Sequence, residues 1–228
     1  MFKKILTKFF SRKALISILK VLLIIYKKSY SIMTTISEVI EGQDKHPKHR
    51  RMQYREWFSS NIMPKWTVLD IGSHNGHMTY FLSDYCHFIY GLELSKSNIE
   101  IAKKNRSKNN IEYIHADATT YDYQGKNIDC VTLSNVLEHI QDREYFLKKI
   151  ISQVNWKNEP LFLIRVPMID RDWMPKFLDE LGLDCRLDVT HYTEYTFKSF
   201  KDELSSCNIE ISSYHIQWGE IYAVCTSE

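Results

Sequence analysis

Residues Val68–Leu82 read VLDIGSHNGHMTYFL. An apolar run takes in one acid, Asp70; two glycines follow at Gly72 and Gly76, and then a segment of helical character begins. A strand that turns through glycines into a helix is the usual form of a backbone cradle for a polar ligand. Gly72 lets the chain turn, and Gly76 lets backbone come close to a ligand. Alone the motif is weak, because such loops have several kinds of guest. His74 also stands where a third glycine often sits.

The chain around this loop is written in alternation. From Trp66 onward, strands are predicted at 67–71, 87–92, 111–115, 128–133, 160–166, 209–215 and 221–225, with helices near 76–83, 96–107, 142–153 and 196–207. Strand–helix alternation implies a mostly parallel sheet covered on both faces. Only Ile216 and QWGE separate the last two strands, so they form a hairpin and the final strand inserts antiparallel. In such folds ligands bind at the carboxyl ends of the strands.

Four successive strand ends carry polar groups. After the loop, Glu93 in GLELS lies 23 residues beyond Asp70. A carboxylate there can accept from both hydroxyls of a ribose. Asp117 in ADAT can accept from an adenine amine, and the Ala118 backbone can bond a ring nitrogen. Asn135, Glu138 and His139 in LSNVLEHI then fall at the rim of the same cleft.

VLDIGSHNG, GLELS, ADAT and LSNVLEHI resemble the class I S-adenosylmethionine-dependent methyltransferases, and the likeness covers roughly residues 64–228. The resemblance implies an α/β, Rossmann-like seven-stranded sheet of order 3-2-1-4-5-7-6, strand 7 antiparallel, here with an N-terminal helical extension. It implies S-adenosyl-L-methionine as cofactor. Asp70, Gly72, Ser73, His74 and Gly76 would cradle its amino-acid part, Glu93 with Leu94 its ribose, and Asp117 with Ala118 its adenine; Asn135 would line the same cleft. His74 departs from the family's frequent G-x-G-x-G. A dinucleotide oxidoreductase would place a third glycine at the helix start, where Met78 and Thr79 stand.

A hydroxyl acceptor needs a base, usually histidine. His191 in DVTHYTEYT and His139 are the candidates; either could instead cap or pack. The insert Arg165–Thr196 exceeds the ~2–6 residues usual for such a connection. It mixes charges with Trp173, Tyr192 and Tyr195, which suits a sugar ring or ordinary packing. Asp170, Asp172, Asp188 and His191 could share a divalent metal, but the spacing does not demand it and no metal is expected. HPKHRR reads as an anion-binding turn or a solvated helix start.

The insert, HPKHR and WGEIYAV resemble a branch of the family associated with bacterial cell-surface polysaccharide building. On that resemblance the acceptor is a sugar, glycan or lipid-linked glycan, met by His46, His49, Arg50, Arg165, Tyr192 and Trp218. The alternatives are a lipid or quinone-precursor methyltransferase and a catalytically inactive cofactor-binding scaffold.

Composition bounds the rest. The 228 residues, 44% hydrophobic and 25% charged, suit one α/β core with chain to spare. Five cysteines without C-x-x-C spacing read as buried hydrophobes in a reducing, cytoplasmic setting rather than a zinc site. The net charge of +2 hides an asymmetry: residues 1–28 hold eight basic side chains and no acid. The body is therefore net acidic, and no nucleic acid is expected as partner. Ala14–Tyr26, ALISILKVLLIIY, is too short to span a bilayer. As a helix it lies in the plane of an anionic membrane at the inner face or packs on a protein. The expected division is a basic helical extension over 1–34, a helical cap over 35–63 with Met52, Tyr54, Trp57 and Phe58 packing, and the catalytic domain over 64–228.

Overall fold

The computed structural model describes residues 6, 8–42 and 51–227. One sheet holds seven strands: β1 Thr67–Ile71, β2 Phe88–Glu93, β3 Ile111–His115, β4 Cys130–Ser134, β5 Leu161–Pro167, β6 Ile209–Gln217 and β7 Glu220–Ser227. Their order is β3-β2-β1-β4-β5-β7-β6. β1 to β5 run parallel, and β7 is antiparallel to both of its neighbours. The expected order and the expected antiparallel strand are both found. The fold is Rossmann-like.

The strands form where the sequence is apolar in short runs. All five residues of β1 are buried, as a strand covered on both faces requires. The helices are α1 Arg12–Glu41, α2 Tyr54–Ser60, α3 His77–Leu82, α4 Lys96–Asn105, α5 Arg143–Gln153, α6 Trp173–Glu180 and α7 Phe197–Ser206. Their starts are written in capping residues. Asp142 accepts from Tyr145 N, and Thr196 with Ser199 forms a reciprocal capping box. Phe146, Phe162, Phe200, Leu133 and Ile164 sit in the main core with no exposed surface.

Two sequence expectations are corrected here. The strand expected over 128–133 divides at Asp129. Its Oδ2 accepts from Thr67 N at 2.7 Å and from Lys157 Nζ at 2.8 Å, which ties the carboxylate to the start of β1. Asn127–Ile128 then pairs with Asn155–Trp156 in a separate two-stranded ladder. The insert is not one long loop: a 3-10 turn at Ile169–Arg171 precedes α6. Pro175 is tolerated there because it lies in the first turn, where its missing N–H has no partner to lose.

The chain forms two compact units, residues 1–53 with 176–185, and residues 54–175 with 186–228. The expected boundaries at 34/35 and 63/64 are displaced. α1 runs unbroken through residue 34 to Glu41. α2 belongs to the second unit, where Phe58 is fully buried and Trp57 meets the Tyr222 and His215 rings. In the first unit Ser11 caps α1 by accepting from Ala14 N, and Lys27 pairs with Asp184 at 3.6 Å.

Candidate active site

The loop after β1 is held from below and from the side. Asp70 has no exposed surface; Thr79 Oγ1 donates to one of its oxygens at 2.6 Å and Thr132 Oγ1 to the other at 2.7 Å. Burial raises this carboxyl to about 6, against the lowering effect of both hydroxyls. Asp70 therefore anchors the loop rather than lining the cleft, which corrects its expected role. Gly72, at φ +75°, has no room for a side chain, since a Cβ would lie 2.6 Å from Val136 Cγ2. Gly76 is needed for packing rather than for ligand approach: its Cβ would meet Tyr113 Oη at 2.6 Å and Ala102 Cβ at 2.9 Å. His74 takes the left-handed conformation itself, at φ +49°, with its side chain exposed.

Glu93, at the tip of β2, clamps the cradle. Its Oε2 accepts from His74 N at 3.0 Å and its Oε1 from Ser95 N at 2.8 Å. An ionised carboxylate has about four acceptor sites, so capacity for two ligand hydroxyls remains. Leu94 beside it is exposed, and its carbonyl pairs with His115 Nε2 at 3.0 Å. Exposed Asp117 closes the turn after β3, its Oδ1 accepting from Thr119 N and Oγ1. The Ala118 carbonyl accepts from Tyr123 Oη. Asn135 follows β4 at φ +55°, and its backbone N donates to Arg165 O at 2.8 Å. Ser73 Oγ and Asn135 Oδ1 are buried without a hydrogen-bond partner among the described residues. They follow adjacent strands, β1 and β4, and such orphaned polar atoms fit a ligand with its own donors and acceptors.

The two histidines meet. The His139 and His191 ring centroids are 4.6 Å apart with the planes near perpendicular. His191 is buried and its Nδ1 lies 2.8 Å from Glu194 Oε1. A carboxylate only accepts, so Nδ1 carries the proton and Nε2 keeps a lone pair. Glu194 is fixed in turn by Arg171 Nη1 at 3.1 Å and Leu187 N at 2.7 Å. Thr190 Oγ1 gives its one proton to Asp188 Oδ1 and so accepts from His139 Nδ1 at 2.9 Å. His139 likewise keeps Nε2 as an acceptor. Burial lowers its pKa below the ordinary histidine value.

Glu138 completes the group. It has no exposed surface, and neither oxygen has a hydrogen-bond partner among the described residues. Burial raises it to about 7, against the opposing charge of Arg165. Glu138, His139 and His191 each offer a donor atom within 4.8 Å of the others, a set that could hold a divalent cation. Among the described residues, Asp170, Asp172 and Asp188 join no such set. Asp172 instead accepts from Met174 N and Asp188 from Thr190.

The expected acceptor contacts divide. Arg165 is buried, ion-paired to Glu220 at 2.5 Å and stacked 4.2 Å over the Tyr54 ring, so it does not face a substrate anion. Tyr195 is core, its hydroxyl donating to Glu203. Tyr192 is exposed, and its N donates to Glu138 O. Trp218 is exposed in the β6–β7 turn, where Gly219 O accepts from Met168 N. His46, His49 and Arg50 lie outside the described residues. Sequence reasoning missed Glu194 and Thr190, although both flank His191 in the stretch that drew attention to it.

Residues 69–154 match the family model described as a methyltransferase domain. The ubiquinone biosynthesis O-methyltransferase of Bradyrhizobium diazoefficiens is 28% identical over 171 residues, covering 64% of this chain and 67% of that one. A protein of Methanococcus vannielii named as a cobalt-precorrin-6B C(15)-methyltransferase (decarboxylating) is 30% identical over 98 residues, 43% of this chain and about half, 51%, of its own length. The magnesium protoporphyrin IX methyltransferase of Synechocystis, solved with bound SAH, shares the fold at TM-score 0.60 and 13% identity, over 79% of this chain and 83% of that one. The domain match, the sheet and the loop geometry together identify an S-adenosylmethionine-dependent methyltransferase.

Proposed function

We propose that the enzyme methylates a hydroxyl on an aromatic ring of the quinone-precursor type, with His191 as the base. The observation behind this reading is the His191–Glu194 pair: a buried imidazole whose Nδ1–H is fixed by a carboxylate, leaving Nε2 to accept a proton. S-adenosylmethionine supplies an electrophilic methyl group on a sulfonium. The chain has to hold the acceptor oxygen in line with the methyl–sulfur bond and exclude water. Nε2 of His191 would take the hydroxyl proton, while the bound cofactor would supply the methyl group and retain the carbon–sulfur electron pair on its sulfur. A phenolic hydroxyl titrates near ~10, much closer to an imidazole than an aliphatic alcohol does.

The bradyrhizobial relative is named for an O-methylation in ubiquinone biosynthesis, which favours this acceptor class over a sugar. Of the groups offered for a sugar, Arg165 and Tyr195 are engaged in the interior. The test is transfer of labelled methyl to a prenylated catechol, with nucleotide sugars and glycolipids assayed beside it. Label in the catechol, lost in His191→Asn while cofactor binding is retained, supports the reading. Label confined to sugar-bearing acceptors overturns it.

A further inference from the structure

The longest helix described, α1, runs for 30 residues, about 45 Å. No residue of it is buried. At the α-helical repeat, Lys13, Lys20 and Lys27 fall within one narrow stripe. Ile18, Leu22, Ile25, Ile32, Ile36 and Ile40 share the opposite face, and each leaves 39% or more of its surface exposed. An apolar face of this length is far more than soluble helices leave uncovered.

We propose that this face of α1 lies in the plane of an anionic lipid bilayer. Charge selects the occupant. Residues 1–28 carry eight basic side chains and no acid, and the first acid of the chain is Glu38. Packing two copies face to face would bring two such arms together and set like charges against each other. A layer of lipid phosphates neutralises them, and Arg12 and Lys28, which the helical repeat sets at the two edges of the apolar face, can lay their stems along it while their charges reach the headgroups. Tyr26 and Tyr30, both exposed, edge the face and suit the headgroup level. No described helix is long and apolar enough to cross a membrane, so the helix lies on the surface.

The test is flotation of the full chain with phosphatidylcholine vesicles, with and without one-third phosphatidylglycerol. The protein is expected to float with the anionic vesicles only, and to be released by molar salt, where the screening length falls to ~3 Å. Neutralising Lys13, Lys20 and Lys28 to Gln is expected to weaken binding about a hundredfold. Ile25→Asp with Ile36→Asp is expected to abolish flotation while S-adenosylmethionine binding, read by calorimetry, stays as in the parent. Equal flotation with both vesicle types overturns the proposal, as does no flotation with either. A dimer by light scattering that Ile25→Asp dissociates, in a protein that ignores vesicles, assigns the face to a second copy instead.

Discussion

Replacing Glu138 by Gln is expected to stabilise the folded protein, by an amount that grows as pH rises from about 5 and levels off above neutral pH. The carboxyl has no exposed surface and no hydrogen-bond partner among the described residues. Burial lifts it from its ordinary 4.5 to about 7. Between those values the folded protein keeps a proton that the unfolded chain releases. Unfolding there sheds a proton, so stability falls as pH rises. Glu138's contribution is whole below its unfolded value and is lost once pH passes its folded one. The shift corresponds to about 3 kcal/mol, and Gln keeps the shape of the neutral acid without titrating. For a chain of this size 1 kcal/mol moves Tm by about 2–4 °C, so the advantage of Glu138→Gln should grow by roughly 6–12 °C between about pH 5 and pH 8. Asp70, also raised by burial to about 6, adds a slope at lower pH that both proteins share and that cancels in the comparison. Calorimetric scans across that range, in chelator so that no stray cation holds the carboxylate ionised, read the difference. A separation between the two proteins that stays constant with pH refutes the reasoning.

Three further outcomes are expected. Glu93→Ala removes two charge-assisted hydrogen bonds from the cradle and should weaken S-adenosylmethionine binding about 10–100-fold by titration calorimetry; an unchanged Kd removes Glu93 from the site. His74→Gly should raise stability by about 0.5–1 kcal/mol by relieving the left-handed backbone, and Gly76→Ala should lower it by about 2–3 kcal/mol, in part recovered by adding Tyr113→Phe. Urea midpoints decide both, and a destabilised His74→Gly means that the imidazole makes a contact of its own. Glu194→Gln should cut kcat about 10²–10³-fold and shift its pH profile with little change in KM, because it frees the His191 tautomer without touching the acceptor. An unaltered kcat and profile leave Glu194 structural.

The fold was legible because its strands are short apolar runs with polar tips, and because QWGE between two such runs admits only a hairpin. Trp218 and Gly219 do take positive φ there, and β7 enters the sheet antiparallel to β5. Where single side chains override pattern, legibility failed. Asp129 interrupts an apolar run to bind Thr67 N, which period alone does not reveal. α6 hides behind Pro175, whose place in a first turn is known only once the helix start is known. No change in pattern marks the expected 34/35 boundary, and α1 continues through Thr34 and Thr35, whose hydroxyls donate back to Tyr30 O and Ser31 O.

The site shows the same division more sharply. Gly72, Glu93, Asp117 and Asn135 could be read from position, because a strand's carboxyl end is a place that sequence can locate. What a residue does at that place depends on neighbours far along the chain. Asp70 reads as a ligand contact until Thr132, 62 residues away, takes one of its oxygens. Arg165 reads as an anion anchor until β7 brings Glu220 against it. His191 has its partner only three residues on, but Glu194 fixes the ring because Arg171, 23 residues upstream, holds its other oxygen in place. A lone carboxylate near an imidazole swings between water and ring. One that is 2% exposed and bonded at both oxygens cannot, so the His191 ring is held in one orientation, whereas the more open His139 has only the exposed Thr190 hydroxyl to hold it.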